Sequence, residues 1–252
     1  MATFFKSGKR SATQLEPIHT EVPEIRGAEL NAVYYGQRVG GDFYDFLRVS
    51  AGRVLLGLLD VAGKHECART VAVRAQDTFR CEAPRLFSGA ELNEADAMIE
   101  LCLLLNRSIL GGEGGGVRPC PAFAACYNEE IGTVCYFNAG HTPALLRHND
   151  GITELPATGL PLGLFSHVTC DAPTVALEPG GALVVVSRGM VEGTRKGEEY
   201  GLERAKALVQ RDTAADAREL CVALVDDVKK FMGTPPTHDD VTAVALVRDG
   251  RS

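Results

Sequence analysis

Residues 52–60 read GRVLLGLLD, and the chain continues VAGK over 61–64. From Val54 to Leu59 every side chain is apolar or absent. A continuous apolar run of this length, bounded by a glycine turn, predicts a strand covered on both faces. The run ends abruptly in Asp60. A lone carboxylate is costly to bury, so Asp60 needs a partner. Two readings are open at this point. Asp60 is a turn residue or the cap of the next helix, as most such aspartates are. Alternatively it is a metal ligand, which requires other carboxylates in the same setting.

Outward from this strand, β-like runs mix with helical periodicity. AELNAVYYG (28–36) reads as a strand before it, and VGGDFYDFLRV (39–49) carries Gly40-Gly41 and then aromatics. Residues 66–80 read as a helix. Residues 91–110 read as a longer amphipathic helix with Ala97, Leu101, Leu104 and Leu105 on one face. GGEGGG (111–116) reads as a flexible connection, and no G-x-x-x-x-G-K-[ST] pattern comes after it. AFAACYN and TVCYFNAG pair across EEIG, and PALLRH and GITELP pair across Asn149-Asp150-Gly151. GALVVVS (181–187) and DVTAVALVRD (240–249) read as further strands. Helices are expected at 201–211 and 214–232. The second carries Leu220, Leu224, Val228 and Phe231 on one face, with Thr213 and Asp216 as a capping box at its start. Hairpins mixed with two pairs of helices predict an α+β fold of antiparallel sheets covered by helices. Residues 1–25, broken by Pro17 and Pro23, read as a lead-in segment, and 26–250 as one domain.

Composition narrows the function classes. The 252 residues are 45% hydrophobic and 23% charged, an ordinary globular balance. A net charge of −7 without a Lys/Arg run argues against nucleic acid as a partner. LCLLL and ALVVVS, among the longest apolar stretches, are far too short to span a membrane. MATFFKSGKR lacks the apolar core of a signal peptide. None of the eight cysteines forms a C-x-x-C pair, so no zinc knuckle or redox motif is indicated. They read as reduced thiols of a cytoplasmic protein.

Carboxylates recur in the setting of Asp60. Asp42 comes after a Gly-Gly pair, and Asp239 and Asp240 sit just before the last apolar strand. Acids at the ends of buried strands suit a hard cation such as Mg2+ or Mn2+, which prefers oxygen ligands. GGD read as a cyclic-dinucleotide synthase motif fails, because Phe43-Tyr44 comes next and the later segments stay unexplained.

VGGDFYDF, LLDVAGK, YFNAGHTPALLRHNDGITELPATGLPLGLF, GGALVVVSRGMVEGTRKGEEYGLERAKAL and HDDVTAVALV occur in this order. Together they resemble the bacterial PPM-type metal-dependent protein serine/threonine phosphatases, in the subgroup of the sporulation stage II protein E and the RsbU-type regulators of sigma-factor pathways. The resemblance covers about residues 24–249. It implies a four-layer α-β-β-α sandwich and two Mn2+ or Mg2+ ions at one end. It implies that Asp42 lies beside the metals, that Asp60 bridges them, that Val61 offers its carbonyl, and that Asp239 binds one ion. The implied catalytic set is therefore Asp42, Asp60 and Asp239. The implied substrate is a phosphoserine or phosphothreonine on a signalling protein, an anti-anti-sigma (STAS) type regulator.

One position departs from the pattern. Where the subgroup has [ST]-D-G with a metal-binding aspartate, this chain reads SRGMVEG, with Arg188 in its place. Arginine stays charged and cannot ligate a cation. The alternative function is therefore a weak or inactive relative that binds a phosphoprotein without hydrolysing it.

Overall fold

The protein is described by a computed structural model covering residues 20–36, 41–61, 65–89, 92–111, 119–212, 216–233 and 240–250, with backbone only for 65–67. Residues 1–19 of the lead-in, most of the glycine-rich stretch after Gly111, Thr213 and Asp239 lie outside the described residues.

The chain begins with three strands, β1 (Ala28–Tyr35), β2 (Asp42–Ser50) and β3 (Arg53–Asp60). Two helices come next, α1 (His65–Leu86) and α2 (Glu94–Leu110). Then come β4 (Ala122–Asn128), β5 (Thr133–Ala139), β6 (Ala144–Arg147), β7 (Ile152–Leu155), β8 (Thr174–Ala176) and β9 (Ala182–Val186). A single turn of helix, α3 (Arg188–Val191), and a small hairpin, β10 (Thr194–Arg195) with β11 (Glu198–Glu199), lead to α4 (Leu202–Arg211) and α5 (Ala217–Met232). The last strand is β12 (Val241–Arg248).

One sheet has the order β1-β12-β9-β6-β7 and the other β2-β3-β4-β5-β8. Every named strand pair in them is antiparallel. Strand β3 shows why its sequence is uniformly apolar. Val54, Leu56 and Leu58 pack between the sheets against Leu146, Val185 and Leu246. Leu55 and Leu59 turn outward into a core shared with α1 and α2, including Phe79, Met98 and Leu101. On the other sheet, Ala243, Ala245 and Val247 pack with Leu220, Leu224 and Val228 of α5. Both faces of each sheet are thus covered, and the layers run α-β-β-α as expected.

Several local readings change. Helix α1 does not stop at 80 but runs through Pro84 to Leu86. In α2 the buried face is Ala97, Met98, Leu101, Cys102, Leu105, Asn106 and Ile109, while Leu104 is only half-buried. Helix α5 is capped by Asp216 itself, whose Oδ1 accepts from the Arg218 and Glu219 amides at 2.7 and 3.2 Å. That places the cap three residues later than the Thr213 box, and the helix starts at Ala217. Strands β8, β10 and β11 have two or three residues each, too short to show a periodicity. Phe231 is partly buried, stacked edge-on against Tyr200. Six of the described cysteines are buried and Cys81 is exposed. Among the described residues, no helix is long and apolar enough to cross a membrane.

Helix α1 is fastened to β2 by a buried charge. Asp45 is 3% exposed and takes both Nε and a terminal nitrogen of Arg80, at 2.7 and 2.8 Å. Gln76 donates to the same carboxylate at 3.2 Å, and the Thr20 hydroxyl at 2.8 Å. A bidentate guanidinium with further donors is what lets such a carboxylate stay buried. Asp45→Ala is expected to cost about 3 kcal/mol, since it strands several donors together. Urea denaturation of the variant beside wild type checks this.

Candidate active site

Antiparallel pairing brings many strand ends to one end of the sandwich. The starts of β2 and β12, the ends of β3 and β9, and the chain after β5 meet there. Asp42 and Asp60 are direct partners across β2 and β3. Like charges facing each other on neighbouring strands repel, so this pairing calls for positive charge nearby. Burial first, and the Asp60 carboxylate second, push Asp42 up to about 8. The hydrogen bond from Thr242 offsets part of that shift, and Asp240 adds to it. The Thr242 hydroxyl donates to Asp42 Oδ2 at 2.7 Å. By residue area Asp42 is only half-buried, but its carboxyl group is ringed by protein atoms.

Asp60 is 5% exposed. Its amide donates to the Pro121 carbonyl at 2.8 Å, which fixes the end of β3. The next amide, of Val61, donates to the Gly41 carbonyl at 3.1 Å. A Cβ at Gly41 would lie 2.0 Å from the Val61 carbonyl oxygen, so only glycine lets the two segments approach this closely. Asp240, buried at 3% exposure, presents an Oδ1 with no hydrogen-bond partner. It lies so near Gly36 that a Cβ there would come within 2.4 Å of it.

The positive charge is Arg188. Its Nε lies 2.9 Å from Asp60 Oδ2, with the arginine side chain 42% exposed and the aspartate 7%. Arg188 opens α3 directly after β9. A cation is disfavoured at the positive end of a helix, and the Asp60 carboxylate offsets this.

The structure therefore places Asp42 opposite Asp60, with the Val61 carbonyl against Gly41. Asp239 lies outside the described residues. Among the described residues, no three His, Cys, Asp or Glu side chains are grouped to hold one metal ion. The donor chemistry nevertheless suits a hard cation: facing carboxylates, a backbone carbonyl and the orphaned oxygen of Asp240. Sequence reasoning names Asp240 beside Asp239 among the strand-end carboxylates but gives the ligand role to Asp239 by resemblance, and it does not single out Thr242. Both are visible in the string DDVT, but nothing local distinguishes the first aspartate from the second.

His141 is 4% exposed. Its amide donates to Asn138 Oδ1 at 2.8 Å, and its Nδ1 lies 3.1 Å from the Thr142 carbonyl. That carbonyl can only accept, so Nδ1 carries the proton. Nε2 is buried and has no partner. Burial pushes the imidazole down to about 4, and the nearby Arg188 charge acts in the same direction. His141 is neutral near pH 7 and has no proton to give from Nε2. The Ser187 hydroxyl donates to the Asp240 carbonyl at 3.1 Å and accepts from the Thr242 amide at 3.0 Å, a structural role.

Comparison with known proteins agrees with this architecture. The family of the stage II sporulation protein E (SpoIIE) matches residues 50–249. The stage II sporulation protein E of Priestia megaterium is 23% identical over 212 residues, covering 83% of this chain and 34% of the relative. The chain thus spans about a third of that relative's length. Among solved structures, the RsbU and RsbW domains of a Mycobacterium tuberculosis protein superpose with a TM-score of 0.71 at 21% identity, over 95% of this chain and 64% of the other. The PP2C phosphatase domain of SpoIIE from Bacillus subtilis, with a fragment of its regulatory domain, gives 0.70 at 20% identity, over 89% and 64%. The fold is that of a PP2C phosphatase domain.

His141 predicts an acid-side loss of stability. Its pKa falls from 6.5 to about 4 on folding, so the unfolded chain binds the extra proton first. The His141 contribution to stability is full above pH 6.5 and is lost as pH falls towards 4. Chemical denaturation across this window should show a slope that is reduced in His141→Gln.

Proposed function

The chain belongs to the stage II sporulation protein E family, and we propose that it hydrolyses phosphoserine or phosphothreonine on a signalling protein in a metal-dependent reaction. The observation that carries this reading is the facing pair Asp42 and Asp60 beside the Val61 carbonyl. Asp42, Asp60, Val61 through its carbonyl, and Asp239 would hold Mn2+ or Mg2+. Bound there, the cations supply a water of lowered pKa and neutralise phosphate charge during in-line attack.

The chain's own residues prepare the site. Thr242 aims the Asp42 carboxylate. Gly41 leaves the room that the Val61 carbonyl needs. No protein nucleophile is required, which suits the structural place of Ser187. His141 is buried just after β5, where its amide and ring bond Asn138 and the Thr142 carbonyl, a structural place.

The substrate we propose is a STAS-type anti-anti-sigma regulator. The names of relatives in sporulation and RsbU systems support a signalling phosphoprotein. A specific observation favours a second reading, in which the domain binds a phosphoprotein without turning it over. Arg188 already neutralises Asp60, at the position where the resemblance expects a metal-binding aspartate. In the first reading this ion pair competes with the metal, so activity calls for high Mn2+.

Asp60→Asn is expected to abolish Mn2+-dependent release of phosphate from a phosphoserine peptide while the circular dichroism spectrum stays native. Arg188→Asp removes the competing charge and restores a carboxylate. It should lower the Mn2+ concentration needed and raise turnover about tenfold, which takes about 1.4 kcal/mol off the barrier. Slower turnover in that variant would make Arg188 a phosphate-binding part of a working site. Silence from both wild type and Arg188→Asp would favour the binding module.

A further inference from the structure

The segment between β7 and β8 is docked on α2 through polar groups. The buried Asn106 of α2 accepts from the Gly163 amide at 2.8 Å and donates to the Phe165 carbonyl at 2.9 Å. The same segment closes on itself further along. Gly159 bridges to Cys170, and the Asp171 amide donates to the Thr158 carbonyl at 3.2 Å. A Cβ on Gly159 would lie 3.1 Å from the Cys170 Cβ, so the two stretches are held tightly together there. Cys102 lies one helical turn before Asn106, on the same buried face of α2. Cys102 and Cys170 pack in one core cluster, and their thiols share a hydrogen bond.

The two thiols are not equivalent. Cys102 is fully buried, whereas Cys170 is 8% exposed. The hydrogen bond from Cys102 holds the Cys170 thiol below its ordinary range, and the same bond, with burial, pushes Cys102 up. One sulfur is thus more readily ionised and nearer the surface, with a second sulfur within its reach. Those are the two parts that stepwise thiol oxidation requires. The other buried cysteines differ. Cys126 and Cys135 are opposite residues of β4 and β5, but both are fully buried, and the Cys135 thiol donates to the Ala172 carbonyl at 3.5 Å. Burial pushes the Cys120 and Cys221 thiols up.

We propose that Cys102 and Cys170 form a reversible disulfide site, closed by hydrogen peroxide and reopened by a thiol reductant. The Cys170 thiolate attacks one peroxide oxygen, which forms its sulfenic acid and releases hydroxide. The Cys102 sulfur then attacks the sulfenic sulfur. The S–S bond forms, and the departing hydroxide takes up the Cys102 proton and leaves as water. In sum, two thiols and one hydrogen peroxide give one disulfide and two waters. A dithiol reductant restores both thiols by exchange. The bridge ties α2 covalently to the segment that Asn106 already holds. Leu162 of that segment exchanges both backbone hydrogen bonds with Cys120, at 2.8 and 3.0 Å, and the next residue, Pro121, accepts the Asp60 amide. The fastened segment is therefore linked to the end of β3 by backbone hydrogen bonds. The site needs neither metal nor phosphate, so it stands or falls apart from the phosphatase reading.

The test adds hydrogen peroxide in slight excess to the reduced full chain and quenches it with catalase. Free thiols are then alkylated and the digest is read by mass spectrometry. The expected product is a cross-linked Cys102/Cys170 peptide, with Cys126 and Cys135 alkylated, and dithiothreitol should reverse it. The bridge closes a long stretch of chain, so the oxidised form should melt several degrees above the reduced one. In Cys102→Ala the Cys170 sulfenic acid has no resolving partner and should be captured by dimedone. In Cys170→Ala neither a bridge nor a dimedone adduct at Cys102 should form. No cross-link between these two residues in wild type, a cross-link that forms only in urea, or equal cross-linking of Cys126 with Cys135 each overturn the proposal. So does a lower melting temperature on oxidation, or dimedone capture at Cys102 in place of Cys170. If either alanine variant fails to fold, the wild-type peptide map and melting temperatures decide.

Discussion

Two carboxylates that face each other across neighbouring strands need a cation, and one end of this sandwich is organised around that need. Asp42 and Asp60 are opposite residues of an antiparallel ladder, so their separation is set by strand geometry and not by side-chain choice. Burial and the repulsion between them together hold Asp42 up near 8. Thr242, reaching from the other sheet, and Arg188, opening α3, both answer that charge. The two sheets are therefore joined at this end by polar contacts as well as by the core between them.

The apolar layers make this tolerable. Each sheet buries both faces, so strand ends have little freedom to splay and relieve the repulsion. The close approach of Gly41 to Val61 shows the same constraint in the backbone. The Asp45–Arg80 pair then ties α1, the first helix after Asp60 in the chain, back onto the strand that bears Asp42. Packing, backbone contact and a buried ion pair all act on the same few residues.

Arg188 gives this chain a character of its own within the fold. A guanidinium beside Asp60 is a fixed, always-charged counter-ion. A divalent ion at the same carboxylate must displace it or share the carboxylate with it. A metal bound at Asp60 would thus be coupled to the position of α3 through one side chain.

The sequence by itself determined most of the longer helices and strands, the layer architecture and the family. The unbroken apolar run of β3 already required cover on both faces, and the Asn149-Asp150-Gly151 turn already required a hairpin. These signals are local, because side-chain alternation and turn chemistry act within a few residues. The motifs also pointed to Asp42, Asp60 and Val61 as one site. Where α1 ended, which residue capped α5, and the short edge strands β8, β10 and β11 were legible only in the structure. Those features depend on what packs against them more than on their own periodicity. The sequence marked Arg188 as out of place, but only the tertiary structure decided its partner. It is the closing of one sheet over the other that carries the end of β9 to the end of β3, and no local rule contains that distance.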